Sequence, residues 1–461
     1  MTERPRGATG SAGKGKPGAD RRSAAPRPAP SAGVAARLAA FQILKAVQQG
    51  EAFEVALNAA VSSLLEPDRR LAHELAAGVF RQRNDLDARL QPLVHRGWST
   101  VSNDLRDILR LGAYQLVILD RVPAHAAVDT TVELARTIIG ESAARFTNAI
   151  LRSVGGRAAS PARDLHPGPH LADRYSHPLW LVERWLARFG MEGTTGLLEW
   201  NNERPHLTLQ PARDTLEELQ ARCWSSGVGV RRAPLDAGLV VEGHHPVDLP
   251  GYAEGAFFVQ DPAQALVIRF AAVPPGALVF DACAAPGGKT LALGRLTGQV
   301  LAGELKPERA LRLQENIRRA GSGREHVVVA SASDPPIRGA DVVLLDAPCL
   351  GTGTLARHPD ARWRTSPEGL AQVVRRQTFL LNALAPAVRP GGWLVYSTCS
   401  LESEENEDQV AKFLATHPEF HRDPAPGVLD ALRTPAGDLF LLPQRDAVDG
   451  AFAARLKRRF S

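Results

Sequence analysis

Two cysteines directly follow apolar runs that are typical of strands. Cys349 ends the run L-L-D-A-P-C, and Cys399 ends the run V-Y-S-T-C. In a doubly wound α/β fold the ligand site forms at the carboxyl ends of the strands, so we expect both thiols at that edge. A single cysteine is most often a small buried apolar residue, and Cys223 and Cys283 keep that interpretation. A pair at matching strand ends favours covalent chemistry instead.

Such a thiol suits an enzyme that methylates cytosine. Carbon 5 of cytosine is a poor nucleophile, but addition of a thiolate at carbon 6, helped by an acid at ring nitrogen 3, makes carbon 5 electron-rich. After methyl transfer a base removes the carbon 5 proton and the thiol leaves. Asp346 is the predicted acid, and a dry pocket would supply the raised pKa that this role needs. The residues alone leave open which cysteine attacks and which assists release.

A glycine-containing turn, D-A-C-A-A-P-G-G-K-T, follows another predicted strand and precedes a helix. Its glycine pair permits close approach of an adenosine or ribose, whereas the phosphate-loop and dinucleotide patterns are absent. After the next two strands, Glu304 can accept the ribose hydroxyls and Asp334 can hold the adenine amino group. The predicted cofactor site consists of Cys283, Ala284, Ala285, Pro286, Gly287, Gly288, Lys289, Glu304, Asp334 and Asp346.

The elements that position these residues fall into four segments. Residues 1–30 form a basic, Gly/Pro/Ala-rich stretch that predicts a disordered tail. Residues 31–156 show helical periodicity, as in Leu105, Ile108, Leu109, Gly112 and Leu116, and predict a helical bundle. Residues 157–255 predict a linker and a small α+β module. The module's predicted elements are helices at Pro178–Phe189 and Thr215–Ser225 and strands at Leu207–Gln210, Val228–Arg231 and Leu239–Glu242.

Residues 256–461 alternate between strand and helix patterns and predict a doubly wound, Rossmann-like α/β domain. The predicted strands are Ala277–Phe280, Val300–Ala302, Val327–Val329, Val342–Leu345 and Trp393–Tyr396. The predicted helices are Leu291–Leu296, Pro307–Ala320 and Pro367–Val388. The fold class is therefore a multidomain protein with an all-α bundle, a small α+β module and a C-terminal α/β domain.

The composition excludes several other classes. The net charge of +5 equals the excess within the first 30 residues, so a nucleic-acid surface on the folded part must be a local patch. The four scattered cysteines predict neither a disulfide framework nor a zinc site, and we expect no metal. The chain has neither a long apolar run nor a signal-peptide pattern. These features predict a cytoplasmic protein that does not enter a membrane.

In this order, the D-x-C-A-A-P-G-G-K-T, D-A-P-C and S-T-C-S blocks resemble the Nop2/Sun (NSUN) family of RNA cytosine-5 methyltransferases. F-V-Q-D (residues 258–261), G-T-G-T-L-A-R-H-P-D-A-R-W (351–363) and E-E-N-E (404–407) resemble it too. The resemblance implies S-adenosylmethionine as cofactor, Cys399 as nucleophile and Cys349 as an aid to product release. The sequence departs from the family at Leu350, where Ser is usual, at Gln210-Pro211, where Arg-x-Asn is usual, and at Glu304, where Asp is usual.

The N-terminal helices resemble the RNA-binding protein NusB, in A-F-Q-I-L-K-A-V, L-R-L-G-A-Y-Q-L and F-T-N-A-I-L-R. A NusB-like domain fused to such a catalytic domain implies RNA, and specifically 16S ribosomal RNA, as the partner. The arginine-rich stretch after Cys349 predicts RNA contacts at Arg357, Arg362 and Trp363, because guanidinium groups bind phosphates and an indole stacks on bases. We expect a monomer.

Three alternatives stay open at this point. The same chemistry could act on transfer RNA or another RNA. The chain could be a non-catalytic NusB-like adaptor. It could also be a DNA cytosine-5 methylase, and the nucleophile would then be Cys349.

Overall fold

The structure is a computed structural model, and it describes residues 33–154, 167–427 and 429–460. The predicted tail at residues 1–30 lies outside the described residues, as do residues 155–166 of the predicted linker. Residues 167–170, which the sequence also assigns to the linker, are helical. None of the described helices is long and apolar enough to cross a membrane.

The N-terminal part is a helical bundle, as predicted. Its helices are α1 (Val34–Gln48), α2 (Phe53–Val61), α3 (Glu66–Arg81), α4 (Arg83–Leu90), α5 (Asn103–Val117), α6 (Ala124–Ile138) and α7 (Glu141–Val154). Ile108 and Leu109 on α5 are fully buried in one shared core, on the face that the periodicity predicts. Gly112 lies on that face because α5 and α7 approach closely. A Cβ there would lie 2.4 Å from Leu151 Cδ1.

The middle part combines helices with a four-stranded antiparallel sheet. Its elements are α8 (Pro167–Arg174), α9 (Leu179–Asn202), β1 (Leu207–Pro211), α10 (Leu216–Ser225), β2 (Val230–Arg232), β3 (Leu239–Val241) and β4 (Phe257–Val259). The strand order is β2-β3-β1-β4. Helix α10 starts after Thr215, whose hydroxyl caps it in a reciprocal pair with Glu218. Strand β4 lies beyond residue 255, so residues that the sequence assigns to the next domain complete this sheet.

The C-terminal part is the α/β domain that the pattern predicts. Its elements are α11 (Pro262–Ala271), β5 (Leu278–Asp281), α12 (Gly288–Leu296), β6 (Gln299–Glu304), α13 (Pro307–Ala320), β7 (Glu325–Val329), β8 (Ala340–Asp346), α14 (Ala361–Arg364), α15 (Pro367–Leu384), β9 (Val388–Thr398), α16 (Glu407–Thr416), β10 (Phe420–Arg422), β11 (Leu439–Leu441), α17 (Pro443–Asp446) and β12 (Ala451–Arg458).

The five predicted strands form the parallel centre of the C-terminal sheet, in the order β7-β6-β5-β8-β9. Strands β10, β11 and β12, which were not among the predicted strands, extend the sheet with antiparallel pairings. The helix predicted at Pro367–Val388 ends earlier, at Leu384, and Val388 begins β9 instead.

The helices of this domain cover both faces of the sheet, as a doubly wound fold requires. Alternate residues of β8 show the two layers. Val342 and Leu344 pack in the layer of α11 and α12, whereas Val343 and Leu345 pack in the layer of α15 and α16. The sites at the strand ends therefore lie between two packed helical layers.

Candidate active site

The loop between β5 and α12 forms the first wall of the site. Gly287, with φ of 112°, turns the chain into α12, and a Cβ on Gly288 would lie 2.9 Å from Gln260 Nε2. Position 287 therefore needs glycine for its backbone conformation, and Gly288 leaves room for the end of the Gln260 side chain. Helix α13 holds the loop from the other side, where Arg309 donates to the Ala285 carbonyl at 2.9 Å.

Three acidic residues stand at the carboxyl ends of β5, β6 and β7 or just beyond them. Asp281 is 1% exposed, and burial raises its pKa to about 6. One of its oxygens accepts from Thr290 Oγ1 at 2.7 Å, while the other has no hydrogen-bond partner. Glu304 is buried and accepts from the Lys306 backbone N–H at 3.0 Å, and Asp334 is exposed. The glycine turn, the unpaired Asp281 oxygen and the flanking carboxylates fit an adenosine-containing cofactor.

The two predicted cysteines lie side by side. Strands β8 and β9 are parallel neighbours with Asp346 opposite Ser397, so the loops that follow them meet. The Sγ atoms of Cys349 and Cys399 are 3.2 Å apart. The contact with Cys399 and burial raise the pKa of Cys349 well above its ordinary value, and Glu405 adds to this rise. A raised pKa favours the protonated form of Cys349.

Cys283 lies in the cofactor loop and has a different environment from this pair. Burial raises the pKa of its thiol to about 12, and the nearby carboxylates add to the effect. A thiol in such surroundings is a poor nucleophile, because the reactive species is the thiolate. Cys283 packs against the core of the C-terminal domain, and its place in the wall of a cofactor pocket stays a prediction.

Asp346 lies at the end of β8 and accepts two hydrogen bonds. Lys289 donates to one oxygen at 2.6 Å and Ser397 Oγ donates to the other at 2.9 Å. Lys289 also donates to the side chain of Gln264 on α11. Lys289, predicted only as a cofactor-loop residue, thus forms an ion pair with the predicted acid.

The carboxylate of Glu405 joins the two cysteine loops. It accepts from the backbone N–H of Leu350 at 3.1 Å, next to Cys349, and from the hydroxyl of Ser400, next to Cys399. A third donor is Gln377 Nε2 on α15, at 2.8 Å. Burial raises the pKa of Glu405, and these three donors oppose the rise. Sequence reasoning missed this residue, since an E-E-N-E run normally indicates a solvated surface.

The rest of the acidic run contacts helix α9 of the middle part. Glu402, which is buried, accepts from Arg184 Nε at 2.7 Å and from Trp185 Nε1 at 3.1 Å. Glu404 pairs with the same arginine, and Glu407 pairs with Arg188. The segment that follows Cys399 is therefore attached to another domain.

The predicted RNA contact at Arg362 is wrong for this structure, and the one at Trp363 stays a prediction. Arg362 is 0% exposed and donates to the carbonyls of Ser176 and Asn201. Trp363 packs against the N-terminal bundle, and its Nε1 donates to the Phe80 carbonyl at 2.8 Å. Both side chains contact other domains, and of the two only Arg362 is fully buried.

Arg357 is also committed within the protein, which corrects its predicted RNA contact. Its guanidinium pairs with Asp261 and with Asp449, which are both largely buried, and donates to the His206 carbonyl. The two carboxylates raise the pKa of Arg357 despite burial. Asp261 belongs to the F-V-Q-D block, so this block positions the start of α11 through its contact with Arg357.

The sheet, the glycine loop after its first strand and the carboxylates after the next strands define an S-adenosylmethionine-dependent methyltransferase. Comparison of the sequence with known families narrows this class. Residues 271–457 match the family described as 16S rRNA methyltransferase RsmB/F, residues 34–155 match the NusB family, and residues 177–248 match the RsmF/B-like ferredoxin-like domain. The chain belongs to the RsmB/F family of methyltransferases and carries a NusB domain, and the cofactor of this family is S-adenosylmethionine.

Individual relatives match along nearly the whole chain. A protein from Synechocystis sp. named probable ribosomal RNA small subunit methyltransferase B is 35% identical, over 92% of this chain and 100% of its own. Ribosomal RNA small subunit methyltransferase B from Vibrio cholerae is 33% identical, over 91% of this chain and 96% of its own.

Two solved structures show the same fold at lower sequence identity. The crystal structure of PH0851 has a TM-score of 0.79 at 24% identity, covering 93% of this chain and 99% of its own. NSun6 from Pyrococcus horikoshii, solved with SFG, has a TM-score of 0.52 at 20% identity, covering 62% and 99%. The predicted fold class of bundle, middle module and Rossmann-like domain is confirmed.

Proposed function

We propose that this chain methylates carbon 5 of a cytosine in 16S ribosomal RNA through a covalent bond between Cys399 and the base. The observation that carries the proposal is the pair of thiols 3.2 Å apart at the ends of two adjacent parallel strands, beside the Lys289–Asp346 ion pair. The relatives' names support the choice of ribosomal RNA. A ribosomal RNA substrate also agrees with the predicted cytoplasmic location.

The two sulfurs have different tasks in this proposal. Cys399 attacks carbon 6, while a proton from the Asp346–Lys289 pair reaches ring nitrogen 3. The β5–α12 loop, Glu304 and Asp334 would hold S-adenosylmethionine, which would supply the methyl group for carbon 5. A base then removes the carbon 5 proton, and the bond to Cys399 breaks. Cys349 would then donate a proton to the departing Cys399 sulfur, which lies 3.2 Å from its own.

The target base must leave its stack to meet this site. Both cysteines lie in loops at the sheet edge and are partly buried. Carbon 6 of a cytosine is inaccessible while the base is stacked within a helix. The cytosine therefore lies in a loop of the RNA or is flipped out of a helix. The NusB domain then positions the RNA by its shape and backbone.

Cysteine variants test the mechanism. We expect Cys399→Ala to abolish methyl transfer from radiolabelled S-adenosylmethionine to a small-subunit ribosomal RNA transcript. We expect Cys349→Ala to accumulate a protein–RNA adduct that survives denaturing electrophoresis, because attack proceeds and release is slow. Cys223→Ala is the matched control, since Cys223 is buried in the middle module. Adducts in Cys399→Ala and lost attack in Cys349→Ala would reverse the assignment.

Bisulfite mapping of cellular RNA tests the substrate. Loss of one 5-methylcytosine from 16S ribosomal RNA in cells that lack the gene is the expected result. Loss of a 5-methylcytosine from transfer RNA instead would support the proposed chemistry and show that the substrate is transfer RNA. An absence of S-adenosylmethionine binding in calorimetry would contradict catalysis and leave a non-catalytic adaptor.

A further inference from the structure

One exposed face of helix α15 combines unpaired positive charge with an exposed aromatic ring. Gln372, Arg375, Arg376 and Phe379 are spaced i, i+3, i+4 and i+7, which places them on the same side of the helix. All four are exposed, and Phe379 is 60% exposed. The opposite side of α15 carries Leu380, Leu381 and Leu384 into the core. We call the four exposed residues the α15 face.

The two arginines of this face have no partner within the protein. Among the residues that the structure describes, neither Arg375 nor Arg376 makes an ion pair or a side-chain hydrogen bond. The other arginines of the same stretch are committed elsewhere, with Arg357 and Arg364 in ion pairs and Arg362 fully buried. Within residues 351–376, positive charge is thus available to a ligand only on α15.

Helix α15 adjoins the candidate active site through its buried side, and Arg376 lies at the edge of the α15 face. Gln377, the next residue after Arg376, donates to the carbonyl of Pro348 at 2.9 Å, directly before Cys349. Burial raises the pKa of Cys283 in the cofactor loop, and the charge of Arg376 opposes that rise, so Arg376 lies within electrostatic reach of the loop.

We propose that the α15 face binds the single-stranded RNA that flanks the target cytosine, with Arg375 and Arg376 on phosphates and Phe379 stacked on an unpaired base. Guanidinium groups neutralise phosphates, and aromatic rings stack on bases of any sequence, so the face combines the two contacts that single strands need. Glu368, in the first turn of α15, is the acidic residue near this surface. The inference rests on the proposed RNA substrate and names the part of the chain that holds it.

Paired variants test the charge. The double variant Arg375→Ala/Arg376→Ala is compared with Arg312→Ala/Arg318→Ala, which removes two exposed arginines from α13 on the opposite layer of the sheet. The probe is a labelled fragment of small-subunit ribosomal RNA, and its affinity is measured by fluorescence anisotropy at several salt concentrations. Each lost phosphate contact lowers the slope of log affinity against log salt by about 0.7 for a single strand. We expect the α15 double variant to lower that slope by about 1.4 and the α13 variant to leave it unchanged.

Phe379 tests the stacking. Because stacking of one base on an aromatic ring is worth roughly 5- to 150-fold in affinity, Phe379→Ala should weaken binding within that range. Phe379→Tyr should restore binding and Phe379→Leu should not, which separates stacking from simple apolar contact. In methyl transfer, KM for RNA should rise while kcat at saturating RNA stays within about twofold, since the face does not touch the reacting atoms. Unchanged thermal midpoints confirm that the variants fold.

The outcomes separate this inference from the proposed function. Wild-type affinity and salt slope in the α15 double variant would overturn the proposed role of the α15 face in RNA binding. An equal loss of affinity in the α13 variant would overturn it too. RNA binding by the wild-type chain with no 5-methylcytosine formed would overturn the proposed function, while the binding measurements still decide the role of the α15 face. Failure of the wild-type chain to bind the RNA fragment would overturn the inference as well.

Discussion

The carboxyl group of Asp281 allows a quantitative test of how burial controls charge in the cofactor loop. Asp281 is 1% exposed at the end of β5, and Thr290 donates to one of its oxygens. Desolvation raises its pKa to about 6, against an ordinary value of 3.8, because the hydrogen bond from Thr290 compensates only part of the cost of burial. Asp281→Asn removes the ionisation and keeps the size of the side chain.

The sign of the effect follows from proton binding. A carboxyl group whose pKa is higher in the folded state binds more protons when folded, so the free energy of unfolding falls as the pH rises from about 4 through about 6. A difference of about 2 pH units at about 1.4 kcal/mol each corresponds to about 3 kcal/mol. Between pH 4 and pH 7 the wild type should therefore lose about 3 kcal/mol of unfolding free energy that Asp281→Asn does not lose.

Urea unfolding at several pH values, followed by circular dichroism, measures this difference. Other buried carboxyl groups are present in both proteins, and their contributions cancel in the comparison. Thr290→Val is a useful control, because removing the donor raises the pKa of Asp281 further and shifts the loss of stability to higher pH. Parallel stability curves for the wild type and Asp281→Asn from pH 4 to pH 7 would refute the reasoning.

Two further predictions concern buried polar groups. Arg362→Ala should lower the free energy of unfolding by about 3–5 kcal/mol, because it leaves several buried acceptors unpaired, and thermal unfolding measures this. Weaker RNA binding without lower stability would contradict the structural role of Arg362. Glu405→Ala should slow single-turnover methyl transfer much more than Glu405→Gln, which keeps an oxygen for the Leu350 N–H and Gln377. Equal losses in the two variants would show that the charge of Glu405, and not its hydrogen bonds, supports the cysteine loops.

The sequence predicted the meeting of the two cysteines because parallel strands present their carboxyl ends at one edge. That rule needs only the strand positions, and apolar runs such as those before Asp346 and Cys399 locate strands well. The sequence pattern was less informative about where helices end. The helix predicted from Pro367 to Val388 stops at Leu384, where a 3-10 turn that contains Pro386 leads into β9. The helix predicted to end at Phe189 resumes after a kink at Gly190, whose φ of 68° interrupts it for one residue.

The sequence could not show which charged residues face solvent. The arginines after Cys349 look alike in a composition count, yet Arg362 is buried between domains and Arg376 is exposed. The difference depends on contacts with α9 and the N-terminal bundle, which lie more than 100 residues away in the chain. For the same reason the role of Glu405 emerged only when the loops after β8 and β9 were seen together.

The attachment of the acidic run to α9 bears on how such proteins can be recombined. Glu402 is 2% exposed, and its donors Arg184 and Trp185 belong to a segment that lies ahead of the methyltransferase fold. Cutting the chain before β5 would remove both donors and uncover this carboxylate, three residues after Cys399. Domain swaps between relatives should therefore exchange α9 together with the catalytic domain. The segment that must be exchanged as one piece is larger than the methyltransferase domain itself.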